Sequence, residues 1–207
     1  PEFQDAIYRG NWHEAYEILS LTNDFPEFTG RICLPCARRA VCLNLPSTLL
    51  SPIREDEGAI AETAFREGYV VPRQYQRNGK VAVVGSGPAG LATANQLNRR
   101  GYDVTVFDAA RLLEDCSASA FPISSSTSHH RRRIDVMKAE GITFEVNADI
   151  DILNLPKGFD AYASVQAPSG ARLNIPGRDL NGVHFALDML SQQNRVLAGQ
   201  TFSATSG

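Results

Sequence analysis

Cysteine is scarce in this chain, with four in 207 residues, and three of the four fall within ten positions of one another. That is too few and too lopsided for a disulfide scaffold, so a reducing compartment is the expectation. Long apolar runs are missing too. No stretch approaches the roughly 18 residues that a membrane-spanning helix needs, and no membrane association is expected. A basic excess is also lacking. The 20 Lys and Arg against 23 Asp and Glu leave a formal charge of −3, which disfavours a general nucleic-acid binder. The first residue is Pro1 and no positive-then-apolar leader follows, so the expectation is a piece of something longer, cytoplasmic or organellar, rather than a secreted precursor. What is present, 43% hydrophobic and 21% charged residues, is ordinary globular composition. The length allows one large domain or two small ones.

The first 76 residues read as helical. Asn11 is a candidate N-cap, with Glu14 as the return half of a capping box. Trp12, Ala15, Tyr16 and Leu19 recur at helical spacing and predict an apolar face, with Trp12 as core. Thr22 to Gly30 holds Asn, Asp, Pro and Gly and reads as a loop. A further helix is predicted over about Asp56 to Glu67, stopped by Gly68. A polar segment with Pro72 and Gly79 then marks a linker, and a domain boundary is placed at about residue 77.

Beyond it the pattern changes. Val81-Ala82-Val83-Val84 is a short continuous apolar run, as expected of a buried parallel strand. It enters Gly85-Ser86-Gly87-Pro88-Ala89-Gly90, then a helix to about Arg100, then a second strand, Asp103 to Phe107, closing on Asp108. This is a βαβ unit with a dinucleotide fingerprint. The first glycine permits the tight turn, the second lets backbone approach a diphosphate, and the third permits close helix–strand packing. The helix start offers amides and a positive dipole end to phosphate. Asp108, 23 residues after Gly85, is placed to accept from ribose hydroxyls, which favours FAD or NAD over a 2′-phosphorylated nucleotide. The opposing reading is that the glycines serve packing alone and that Asp108 is a solvated acid.

Further along, Ser117 to Ser128 is Ser-rich and reads as a loop, and a helix is expected from Arg131 to Glu140. Strands are expected around Ile142 to Val146 and Phe159 to Val165, and a late helix carries Val183, Leu187 and Leu190. The run His129-His130-Arg131-Arg132-Arg133 reads as a solvated loop or helix start, with phosphate or an acidic partner as the alternative. Cys33, Cys36 and Cys42 could supply thiolates to an iron–sulfur cluster or zinc, or be reduced structural cysteines. No Ser/His/Asp constellation for nucleophilic catalysis is visible.

Several stretches together resemble the pyridine-nucleotide-linked glutamate synthase small-subunit family and the equivalent region of long eukaryotic-type glutamate synthases. They include Ala6 to Trp12, Thr22-Asn23-Asp24-Phe25-Pro26-Glu27-Phe28-Thr29-Gly30-Arg31-Ile32-Cys33, Lys80 to Phe107, Arg133 to Gly141 and Ile175-Pro176-Gly177-Arg178. The resemblance implies an α/β chain: a helical iron–sulfur-type domain over 1–76, then a partial Rossmann-like FAD-binding domain over 77–207. It implies that Gly85, Ser86, Gly87, Pro88, Ala89 and Gly90 hold the FAD diphosphate. Asp108 stands where the family usually has Glu on the adenosine ribose. Cys33, Cys36 and Cys42 lie in the cluster-ligand region, where a 4Fe–4S cluster is the implied group. The NAD(P)H site is expected outside this chain, and the partner is a large subunit or the rest of a longer chain. Arg111 to Cys116 replaces the family's Gly-Gly-Leu-Leu stretch. The expected function is thus an FAD-dependent oxidoreductase portion passing electrons toward glutamate synthesis. The alternative is a truncated or degenerate relative that serves as a nucleotide-binding or interaction module.

Overall fold

The computed structural model describes residues 2–32, 53–109, 127–150 and 154–165, with scattered positions between 175 and 196. Cys33, Cys36, Cys42 and Cys116, the Ser-rich stretch before Thr127, and Leu187 and Leu190 of the expected late helix lie outside the described residues, whereas Thr127 and Ser128, expected as loop, are helical and Val183, expected as helix, is not. The chain divides into two compact units, one of Pro1–Arg73 with Ser124–Val136, the other of Gln74–Ile123 with Met137–Gly207.

The first unit is built from helices α1 (Glu2–Tyr8), α2 (Trp12–Ser20), α3 (Pro26–Ile32) and α4 (Ile53–Arg66), joined by the first part of a later helix, α6 (Thr127–Ala139). Gly10, at φ +76°, closes α1, because only glycine takes that left-handed turn without strain. Asn11 then caps α2, its side chain accepting from the Glu14 amide at 3.2 Å. The Glu14 carboxylate returns to the Asn11 side-chain amide at 2.8 Å, not to the backbone N–H of a capping box. The Asn11 backbone N–H is already spent on Ala6 O. Ala6, Ala15, Leu19 and Ile60 form a buried cluster, with Trp12 and Tyr16 packed against it, so the expected apolar face is the one that is buried.

Two expectations need correction in this unit. The stretch expected to be loop from Thr22 to Gly30 turns helical at Pro26, since proline suits the first helical position, where no intrahelical donor is needed. Asn23 prepares the start by accepting from the Phe25 amide at 3.1 Å. The second correction concerns the basic run. Arg131 is exposed as expected, but Arg133 is buried and Arg132 partly buried. Arg133 grips Glu27 of α3 with two hydrogen bonds, 2.5 and 3.1 Å, in a pair whose side chains are 6% and 0% exposed. Arg132 makes a two-pronged pair with Glu62 of α4 and lies 3.8 Å over the Phe65 ring. Arg31 reaches the same Glu62 at 2.6 Å. Burial pushes the Glu62 carboxyl up, but the hydrogen bonds and charges of Arg132 and Arg31 outweigh it and hold the carboxyl at about 2.

The second unit is a four-stranded parallel sheet in the order β3-β2-β1-β4, from β1 (Lys80–Val84), β2 (Asp103–Phe107), β3 (Thr143–Glu145) and β4 (Ala161–Ser164). Helix α5 (Pro88–Arg99) connects β1 to β2, as the predicted βαβ unit requires. Val81, Ala82, Val83 and Val84 are all buried, because β1 has a strand on each side and α5 against it. β2 alternates, burying Val104 and Val106. Strand order reverses at β1: the chain moves outward through β2 and β3, then returns to pair β4 with β1. That reversal opens a crevice at the carboxyl ends of the strands, where parallel α/β sheets hold ligands. This mixed α/β architecture with a parallel sheet is the one the sequence indicated.

Candidate dinucleotide site

The glycine segment sits at that reversal. Gly85, at φ +105°, adopts a conformation that side-chain-bearing residues rarely reach, and its amide donates to Phe107 O at 2.8 Å. The ladder between β1 and β2 therefore runs one residue past the strand before the chain turns. Gly87 is the N-cap of α5 in extended geometry, and it supplies no side-chain hydrogen bond to the helix. A Cβ built on Gly87 meets nothing within 4 Å, so the backbone there faces open space. Pro88 takes the first helical position, and the Ala89 and Gly90 amides of the first turn have no intrahelical acceptor. Gly90 is different in kind. A Cβ there would lie 1.8 Å from Gly85 O and 3.3 Å from Val165 Cγ2, so the close fit of α5 onto β1 and the end of β4 requires glycine.

Ser86 is fully buried. Its amide and hydroxyl both donate to Asp108 Oδ2, at 2.6 and 2.7 Å. The Asp108 backbone is fixed as well: its N–H donates to Glu145 O at 2.9 Å and its C=O accepts from Ala148 N at 2.8 Å. A recess of about 10 Å³, lined by Gly85, Phe107, Asp108, Ala148, Asp149 and Ile150, lies beside it, large enough for about one water.

The structure thus brings Gly85, Ser86, Gly87, Pro88, Ala89, Gly90 and Asp108 together at one corner. Sequence reasoning did not foresee that Ser86 is bonded to Asp108, nor that the segment after β3 lines the recess. A signal for the second was present in Asn147, which turns the chain at φ +57°, a conformation asparagine tolerates better than most residues. Among the described residues, no group of three or more His, Cys, Asp or Glu is placed to hold a metal ion.

Comparison with known proteins agrees with this geometry. A family model described as an NAD(P)-binding Rossmann-like domain matches residues 83–134. The glutamate synthase [NADPH] small chain of Bacillus subtilis (strain 168) is 41% identical over 98% of this chain, and that of Mycobacterium tuberculosis (strain ATCC 25618 / H37Rv) is 40% identical over 96%. The glutamate synthase [NADH] of Schizosaccharomyces pombe is 37% identical over 94%. The chain spans 42% of the length of each of those small chains and 10% of the NADH enzyme. Over nearly its whole length, then, this chain is homologous to a part of the glutamate synthase small chains and of the NADH glutamate synthases.

Proposed function

We propose that this chain is the dinucleotide-holding portion of a glutamate-synthase-like oxidoreductase, with FAD as its resident group. The observation that carries the reading is the open space over Gly87 at a helix start that no side chain caps. An anionic diphosphate fits there, because amides without acceptors and the positive end of the α5 dipole both favour negative charge. Asp108, anchored at the end of β2, is the acceptor for the adenosine ribose. Gly90 keeps α5 close enough to β1 for its amides to reach the phosphates. A bound flavin would supply the redox chemistry between NAD(P)H and the onward electron acceptor. This chain's residues bind and orient it.

Cys33, Cys36 and Cys42, which follow α3 in the sequence, would supply three of the four thiolates of a 4Fe–4S cluster, and the fourth ligand would have to come from elsewhere. The partner is a glutamate synthase large subunit or the remainder of a longer chain, since the relatives are small chains or a much longer enzyme. The NAD(P)H site is assigned to residues outside this chain, and the compartment to the cytoplasm. Among the described residues, no helix is long and apolar enough to cross a membrane.

The test is anaerobic purification of the chain, with a visible spectrum, FAD reconstitution, and iron and sulfide assays. Flavin bands with iron are expected. Flavin without iron would remove the cluster and leave the flavin reading. A folded, colourless chain that takes up no FAD but binds ADP would establish the degenerate nucleotide-binding module instead.

A further inference from the structure

Ser86 lies in the glycine segment yet cannot contact a diphosphate through its side chain. It is fully buried, and its hydroxyl is committed to Asp108 at 2.7 Å while its own amide reaches the same oxygen at 2.6 Å. We propose that Ser86 is a positioning residue, which sets the Asp108 carboxylate for the ribose hydroxyls and so decides how well the site recognises the ribose of an adenosine diphosphate ligand. The inference rests on the reading of this corner as a dinucleotide site.

Three features argue for it. The Asp108 main chain is pinned on both sides, to Glu145 O and Ala148 N, so the side-chain torsions are its remaining freedom. Two donors converging on Oδ2 restrict that freedom and hold the carboxylate just past the end of β2, beside the start of α5. A carboxylate offers about four acceptor positions, so the two Ser86 bonds do not exhaust it. The same arrangement also draws the Ser86 hydroxyl away from the start of α5. A serine hydroxyl beside a helix N-terminus ordinarily competes for the first-turn amides. Here it does not, and α5 begins with no side-chain cap. One residue therefore orients the ribose acceptor and leaves the phosphate amides uncovered.

The test uses the full chain and two probes, ADP and 2′,3′-dideoxy-ADP, with affinities measured calorimetrically for wild type, Ser86→Ala and Asp108→Ala. Without the Ser86 hydroxyl the Asp108 carboxylate loses its set position and with it one charged hydrogen bond to the ribose, so Ser86→Ala should weaken ADP about tenfold. The same variant should leave dideoxy-ADP within about twofold, because that ligand has no ribose hydroxyl for Asp108 to hold. In the Asp108→Ala background, Ser86→Ala should have no further effect on ADP. A general loosening of the turn would instead weaken both probes equally, and that result overturns the inference while the site stands. If wild type binds neither probe, the site reading itself fails, and the inference with it. Ser86→Cys, close in size but a weak donor, is run in parallel so that the comparison survives a folding defect in the alanine variant. It should show the same selective loss of ADP, and equal loss of both probes would again overturn the inference.

Discussion

Gly87 and Gly90 differ by three positions and by what surrounds them. The space over Gly87 is empty and its φ of −64° suits any residue, so Gly87→Ala should fold like wild type. Its methyl would stand where the diphosphate approaches, and ADP affinity should fall about tenfold or more. Gly90→Ala places a carbon 1.8 Å from a backbone oxygen, and the β1–α5 turn must move. Overpacking of that kind costs about 1–3 kcal/mol and sometimes more, so this variant should melt measurably lower. Thermal melts and ADP titrations of the pair separate the two roles. Equal stability loss in both would mean that the glycines serve packing alone. The G-x-G-x-x-G spacing is enough to assign these roles, because each follows from a turn's steric demands. The Ser86–Asp108 bond was not legible in the same way. It joins positions 22 residues apart, and nothing in local spacing says which donor a strand-end acid will find.

At the scale of elements, the parts held by local rules were readable. β1, α5, β2 and the Gly68 stop, at φ +75° with Tyr69 N donating to Ala64 O, follow from apolar runs and turn chemistry. Arg132 and Arg133 of α6 followed no local rule. Their burial depends on carboxylates about 70 and 106 positions away in α4 and α3. The helix-to-helix pairing has a consequence for pH. The Glu62 carboxyl, ordinarily near 4.5, is held at about 2 in the folded chain, so its charge favours the fold above the unfolded value. That contribution is lost as pH falls from about 5 through 2. Urea midpoints of the helical unit should drop across that window, and Glu62→Gln should flatten part of the drop. Arg133→Met should do more harm at neutral pH, by about 3–5 kcal/mol, since it takes the two-bonded guanidinium partner away from the fully buried Glu27 carboxylate. Replacing Glu27 by Leu in the same chain should restore much of the loss, and a double variant no more stable than Arg133→Met would show that the pair matters for something besides its own charge balance.

For the molecule as a whole, the site's position at a strand reversal ties ligand binding to the stability of the parallel-sheet unit. A ligand held by the folded state alone stabilises it by mass action, about 2.7 kcal/mol at a concentration one hundred times Kd. Two compact units make a single melting temperature a poor measure of this, because the chain need not unfold in one step. Hydrogen exchange reads each segment by itself. Saturating ADP should slow exchange most at Gly87, Ala89 and Gly90, whose amides the phosphates would cover, and next at residues 81–84 and 104–108, which open only when the sheet does. Gly87→Val should abolish both effects while leaving the ligand-free exchange of 81–84 as in wild type. If ADP slowed α2 or α4 as strongly as the glycine turn, the ligand would be binding elsewhere. Slowing confined to the turn and its two strands would place the nucleotide where β1 hands over to α5, and would do so in a chain that spans 42% of the length of the small chains it resembles.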